Sequence, residues 1–185
     1  MRSLLDRFYS ITLYLAAACL VLIAVLVGAQ VAGRIVDGLL KLFGYPPYGF
    51  LVASLAEIAG YLLAAASFLA LAATLKQGAH IRVTVLLGNV SGRARRWLEL
   101  WVIGAGALFV AYIVWSLLSL VYDSYRFNEV SYGLIPVPLA IPQAVMAAGA
   151  IALLIALLDE FQLTWRTGRP SFRAGEDSVL GNREG

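Results

Sequence analysis

Glu57, His80, Cys19 and the pair Asp159-Glu160 are the side chains whose types could carry chemistry, and each stands apart from the company that chemistry needs. Glu57 is the one ionisable group set well inside an apolar run, about nine residues into it. Carboxylates so placed are costly and often functional, as proton carriers or ion ligands. Three readings are open for it. They are structural pairing with Arg34 or Gln30 or with a partner subunit, a proton or ion role, and an interfacial position that needs no partner. His80 is the only histidine. A bis-histidine haem takes two ligands and a zinc site three or four, so one histidine completes neither. The alternative to a solvated loop position is a structural docking role in the surrounding Gly-x-His-Ile-Arg-Val context, and that reading is preferred to catalysis. Cys19 is the single cysteine; it can form no internal disulfide and reads as a small packing residue. Asp159 and Glu160, near the end of the last apolar run, are expected to be solvated or paired with Arg93, Arg95 or Arg96. No Gly-rich phosphate loop, Ser/His/Asp set or metal-ligand spacing occurs. No catalytic, cofactor or metal residue is therefore assigned, and the chain is not read as an enzyme.

The elements that must position these residues are membrane helices. The chain is 61% hydrophobic and 14% charged, with a mean hydropathy of +0.83. Soluble domains average about 45–50% apolar and about 25% charged. Residues 8–33, 42–75, 100–122 and 130–158 are each long enough to cross a bilayer, which takes roughly 20 apolar residues, and Glu57 is the one charge among them. The expected fold is all-α: an integral membrane protein of four transmembrane helices over 1–166, followed by a polar, glycine-rich tail over 167–185 that is expected to be disordered.

Charge sets the expected orientation. Of the 14 Lys and Arg residues, Arg34, Lys41 and Arg126 alone flank the other side; the remainder lie before span one, between spans two and three, or after span four. The positive-inside rule then predicts both termini in the cytoplasm, N-in/C-in. The net charge of +3 resides at helix ends and forms no nucleic-acid face. Leu15-Ala16-Ala17-Ala18-Cys19 resembles a lipoprotein cleavage box, but the apolar run continues to Gly33, so the span reads as uncleaved.

Span one is expected over residues 9–34, and Pro46-Pro47 end the connection that follows it. Span two is expected over 48–75, closed by Lys76-Gln77-Gly78. In the connector over 79–96, the alternation of His80, Arg82 and Thr84 with Ile81, Val83 and Val85 fits a strand, while Leu86, Leu87 and Val90 fit a helix lying in the interface; both stay open. Span three starts at the Trp97 and Trp101 belt and ends near Tyr122. Pro136, Pro138 and Pro142 predict an extended lead-in with Pro142 in the first turn of a helix that runs to Trp165. Gly104 with Gly106, Ala56 with Gly60 and Ala64, and Ala144 with Ala148 offer small faces for helix packing.

In order along the chain, these features resemble the DctQ-like small membrane subunit of TRAP (tripartite ATP-independent periplasmic) transporters. The resemblance rests on the four-span N-in/C-in layout, Glu57 followed by Gly60-Tyr61, and Gly78-Ala79-His80-Ile81-Arg82-Val83 with the basic run to Trp97 after it. It rests also on Gly133-Leu134-Ile135-Pro136-Val137-Pro138-Leu139-Ala140-Ile141-Pro142-Gln143. It covers residues 8–165; where this chain has Thr84 and Ala140 the family often has an acid and a tryptophan.

The resemblance implies a non-enzymatic scaffold in the bacterial inner membrane. Its partners would be a large multi-span subunit carrying the sodium and substrate sites, a periplasmic binding protein that delivers an organic acid, and membrane lipid. Glu57, Gly60, Gly78, His80, Arg82, Pro136, Pro138, Pro142 and Gln143 become candidates for subunit contact or structure, and Tyr45, Tyr48, Asp123, Arg126 and Glu129 for docking of the binding protein. Two other classes remain: an autonomous small proton-coupled carrier using Glu57, and the membrane anchor of a redox complex.

Overall fold

The computed structural model describes residues 2–76 and 93–167. They form four helices, α1 (Arg2–Leu42), α2 (Leu55–Lys76), α3 (Arg93–Arg126) and α4 (Ala140–Thr167). Each is long and apolar enough to cross a membrane. A helix satisfies its own backbone groups, which lipid cannot do for it. Among the described residues there is no strand, only an isolated antiparallel bridge between Val130 and Pro138.

The packing order differs from the chain order. α1 packs on α2, α2 on α4, and α4 on α3. Contacts advance together along α2 and α4: Gly149 meets the backbone of Phe68 and Leu69, Ala72 packs with Ala152 and Ala156, and Lys76 reaches Asp159. The two central helices therefore run parallel. Their shared face is rich in small residues, with Ala72 of α2 packed on Ala152 and Ala156 of α4 and Gly149 against the Phe68–Leu69 backbone. Lipid gives helices little hydrophobic reason to associate, so close backbone approach must supply the attraction. The small residues expected to pack lie largely elsewhere: Ala56, Gly60, Ala144 and Ala148 are exposed, Ala64 and Gly106 are half-buried, and Gly104 lies against Phe161 of α4.

α1 adds a seam of a different kind. From Ala16 onward its buried or half-buried positions are Cys19, Ile23, Leu26, Gln30, Gly33, Asp37 and Leu40, alternating in steps of three and four. This is the heptad period of helices that wrap with a left-handed twist. The lower half of the seam meets α2, where Ala16 and Cys19 pack with Ala66 and Leu69. The upper half holds the segment that leads into α2. Gln30 accepts a bond from the Val52 amide at 3.2 Å, Gly33 lies under the Phe50 ring, and Asp37 accepts the amides of Tyr48 and Gly49 at 2.7 and 3.1 Å.

Helix ends differ most from expectation. α1 does not stop at Arg34; Asp37-Gly38 continue the helix, and it ends where Gly44 takes a φ of +79°. There the Tyr45 amide bonds Leu40 O and the Gly44 amide bonds Lys41 O, the paired closure of a left-handed helix cap, with Pro46 just beyond. α3 closes in the same way on Asn128, at φ +51°, with Glu129 N bonding Ser124 O and Asn128 N bonding Tyr125 O. α2 starts at Leu55 rather than at residue 48, because Asp37 and Gly49 (φ +73°) hold residues 45–54 out of helix. α4 bears out its reading: Pro136 and Pro138 precede it and Pro142 sits in its first turn.

Candidate functional site

Polar side chains gather at the two ends of the bundle. At the loop end, Ser54 caps α2, with Glu57 and Ile58 amides bonding its carbonyl at 3.1 and 3.0 Å. Ser54-x-x-Glu57 has the spacing of a capping box, in which serine and glutamate satisfy each other's end of the helix. Here both are diverted outward. Ser54 Oγ accepts the Ile135 amide at 3.1 Å, and Glu57 Oε1 accepts the Tyr61 hydroxyl at 2.9 Å. Glu57 Oε2 is buried with no hydrogen-bond partner and lies where a Cβ on Gly133 would collide with it.

The glycine is thus what lets the loop of residues 127–139 lie on the end of α2. That loop is braced internally. Ser131 N bonds Val137 O at 2.9 Å, Ser131 Oγ accepts Val137 N at 3.1 Å, Leu139 N bonds Glu129 O at 3.0 Å, and Ser124 Oγ donates to Glu129 Oε2 at 2.7 Å. Through the Ser54–Ile135 bond the segments 45–54 and 127–139 become one cap over the bundle.

These positions correct the reading of Glu57. It lies in the first turn of α2, not nine residues into a span. A carboxylate there is favoured by the positive end of the helix dipole. It bonds Tyr61 on its own helix rather than Gln30, which serves Val52. Of the other candidates at this end, Pro136 and Pro138 are exposed, while Pro142 and Gln143 are half-buried at the start of α4. Gln143 Oε1 has no hydrogen-bond partner. Gly60 is exposed and touches no neighbouring helix. Tyr45, Tyr48 and Glu129 are exposed on the cap, beside Tyr132 and Leu134, and Asp123 and Arg126 are exposed in the last turn of α3 next to it. Gly78, His80, Arg82 and the connector conformation lie outside the described residues, as does the tail beyond Thr167.

At the other end, Lys76 closes α2 onto α4. Its ammonium contacts the carboxylates of both Asp159 and Glu160, the latter at 3.4 Å, and stands 5.6 Å from the centre of the Tyr9 ring of α1. Asp159 and Glu160 were expected to be solvated or to face Arg93, Arg95 or Arg96; Asp159 is partly exposed, Glu160 is 1% exposed and Lys76 touches both, while the side chains of Arg93 and Arg95 lie outside the described ones. Three helices are joined by this group. Arg96 of α3 donates from Nη2 to the Trp165 carbonyl at 2.6 Å, which ties in the fourth. Among the described residues no three His, Cys, Asp or Glu side chains gather where a metal ion could be held.

Sequence reasoning missed the Asp37 clamp, the Lys76 group and Gly149. The Ser54-x-x-Glu57 spacing could have placed the start of α2, whereas nothing local pairs Lys76 with residues more than eighty positions away. Residues 23–167 match the family model described as tripartite ATP-independent periplasmic transporters, DctQ component. No curated protein matches the chain.

Proposed function

The chain belongs to the DctQ component family of tripartite ATP-independent periplasmic transporters, and from that premise we propose that it is the immobile scaffold of such a transporter. The family is a transporter component rather than an enzyme family, and it works with a large membrane subunit and a periplasmic binding protein. In the proposed arrangement the chain sits in the inner membrane with both termini cytoplasmic and braces the stationary part of the large subunit. The large subunit, driven by sodium, moves an organic acid handed over by the binding protein. The exposed cap carrying Tyr45, Tyr48 and Glu129, with Asp123 and Arg126 at the end of α3 next to it, then faces the periplasm, where the binding protein would dock.

One observation carries this reading. α1 spends a single narrow seam on its own fold and leaves Val21, Val25, Val31, Ile35 and Leu39 exposed along the rest of its length. A carrier that slides one part past another needs its fixed part enlarged and stiffened, and a long helix with a spare apolar face does that. Glu57 supports the same reading, since it sits in a helix cap, bonded to Tyr61 and covered by Gly133, as a structural group would.

Proteoliposomes test it. The large subunit with binding protein and this chain takes up substrate, the same mixture without the chain does not, and Glu57→Gln, which can still bond Tyr61, keeps uptake within about twofold. Uptake by this chain alone, abolished by Glu57→Gln, would instead establish the autonomous carrier.

A further inference from the structure

The end of the bundle that carries Lys76 also carries a groove between α3 and α4. It has a volume of about 420 Å³ and is lined by Trp97, Leu98, Leu100, Trp101, Phe161 and Trp165. Binding pockets for small ligands run from about 300 to about 1,000 Å³. One wall is built of aromatic rings held against each other: Trp97 meets Trp165 edge-on with centroids 6.4 Å apart, and Phe161 stacks on Trp165 at 6.3 Å. An adjoining recess of about 250 Å³ shares Trp97, Leu100 and Trp165 and is bounded by Arg96.

The groove is therefore apolar along its length and cationic at its mouth. It lies in the first turns of α3 and the last turns of α4, the level at which tryptophan and arginine mark the membrane–water interface. Arg96 spends one N–H on the Trp165 carbonyl, while its side chain stays exposed. A guanidinium has five such donors, and Arg96 lines the recess beside the groove. Arg166, exposed in the last turn of α4, adds a second cation at the same level.

We propose that this groove binds an anionic phospholipid, with the phosphate headgroup on Arg96 and an acyl chain lying against Trp97, Trp101 and Phe161. A helix of a partner protein would need no cation at the mouth, and a zwitterionic lipid would gain less from one. Basic pockets between membrane helices at the interface select acidic headgroups for this electrostatic reason. The bound lipid would tie α3 to α4 where the Arg96–Trp165 bond already does so.

The test uses tryptophan fluorescence in the full chain assembled with its large subunit. With Trp115→Phe, the three tryptophans left in this chain all line the groove. The complex is placed in phosphatidylcholine bilayers, with the large subunit's tryptophans substituted, and trace brominated lipid is added. Brominated phosphatidylglycerol is expected to quench at least about twofold more than brominated phosphatidylcholine at equal mole fraction. Arg96→Gln should bring the two to parity, and Arg96→Lys should keep most of the difference. Equal quenching by the two lipids in the unaltered Arg96 protein would overturn the proposal, and so would protection from both, which would mean that the large subunit fills the groove.

Discussion

Gly149 shows how one hydrogen atom can set a helix interface. A Cβ at this position would stand 2.5 Å from the carbonyl carbon of Phe68 and 2.8 Å from the Leu69 amide nitrogen. Those are backbone atoms of α2 and cannot rotate aside, so alanine would have to push the two central helices apart. Gly106, on α3, has nothing within 4 Å of the same construction. Alanine there removes only the helix penalty of glycine, about 1 kcal/mol. Gly149→Ala should therefore lower stability by about 1–3 kcal/mol, as overpacking does elsewhere, while Gly106→Ala leaves it unchanged or slightly raised. Thermal unfolding in detergent followed by circular dichroism separates the two, and equal melting temperatures for both variants would mean that the α2–α4 contact is not the close one described.

At the scale of elements, the number and type of helices were legible because four uncharged or nearly uncharged runs leave the chain few other choices. Their ends were not. Asp37 looked like the start of a connection, yet it is the last polar residue of the α1 seam, and its carboxylate draws the amides of Tyr48 and Gly49 onto the helix eleven and twelve residues before them. The partners lie across a turn that Pro46 and Pro47 conceal, since proline is equally compatible with the start of a helix and with an extended segment. The seam itself was hidden by composition, because a heptad pattern cannot be seen when the positions between its members are apolar too. The α4 lead-in was legible, since Pro136 and Pro138 oppose helix before them while Pro142 is tolerated in a first turn. Charge-assisted hydrogen bonds are worth about 1.5–3 kcal/mol. Asp37→Ala should accordingly speed hydrogen exchange at the Tyr48 and Gly49 amides by roughly tenfold or more, with the amides of α2 beyond Ile58 unaffected. Unchanged exchange at Tyr48 would show that the prolines alone hold the segment.

For the molecule as a whole, the two outer helices present different surfaces, and the proposed scaffold gives each a different neighbour. α3 exposes Trp97 and Trp101 near one end, Tyr122 and Tyr125 near the other, and Phe109, Tyr112 and Trp115 between them. Aromatic side chains at both interfaces are what a helix facing lipid carries. α1 exposes Phe8 and Tyr14 near its start and Phe43 just past its end, but only valine, leucine and isoleucine among its large apolar side chains from Leu20 to Leu42. At 41 residues it is about 60 Å long, twice the hydrocarbon thickness of about 30 Å. A helix of that length, stiff, aliphatic and held only by its seam, suits a second protein better than a bilayer. If α1 is the brace, a photoreactive phenylalanine analogue at Val25 or Val31 should cross-link to the large subunit in the assembled transporter, while the same group at Phe109 or Tyr112 should label lipid. Adducts from α3 and none from α1 would reverse the assignment and place the large subunit against the side of the bundle that holds the tryptophan groove. The lipid-quenching and cross-linking results must then change together, because a large subunit lying on α3 would also shield Trp97 and Trp101.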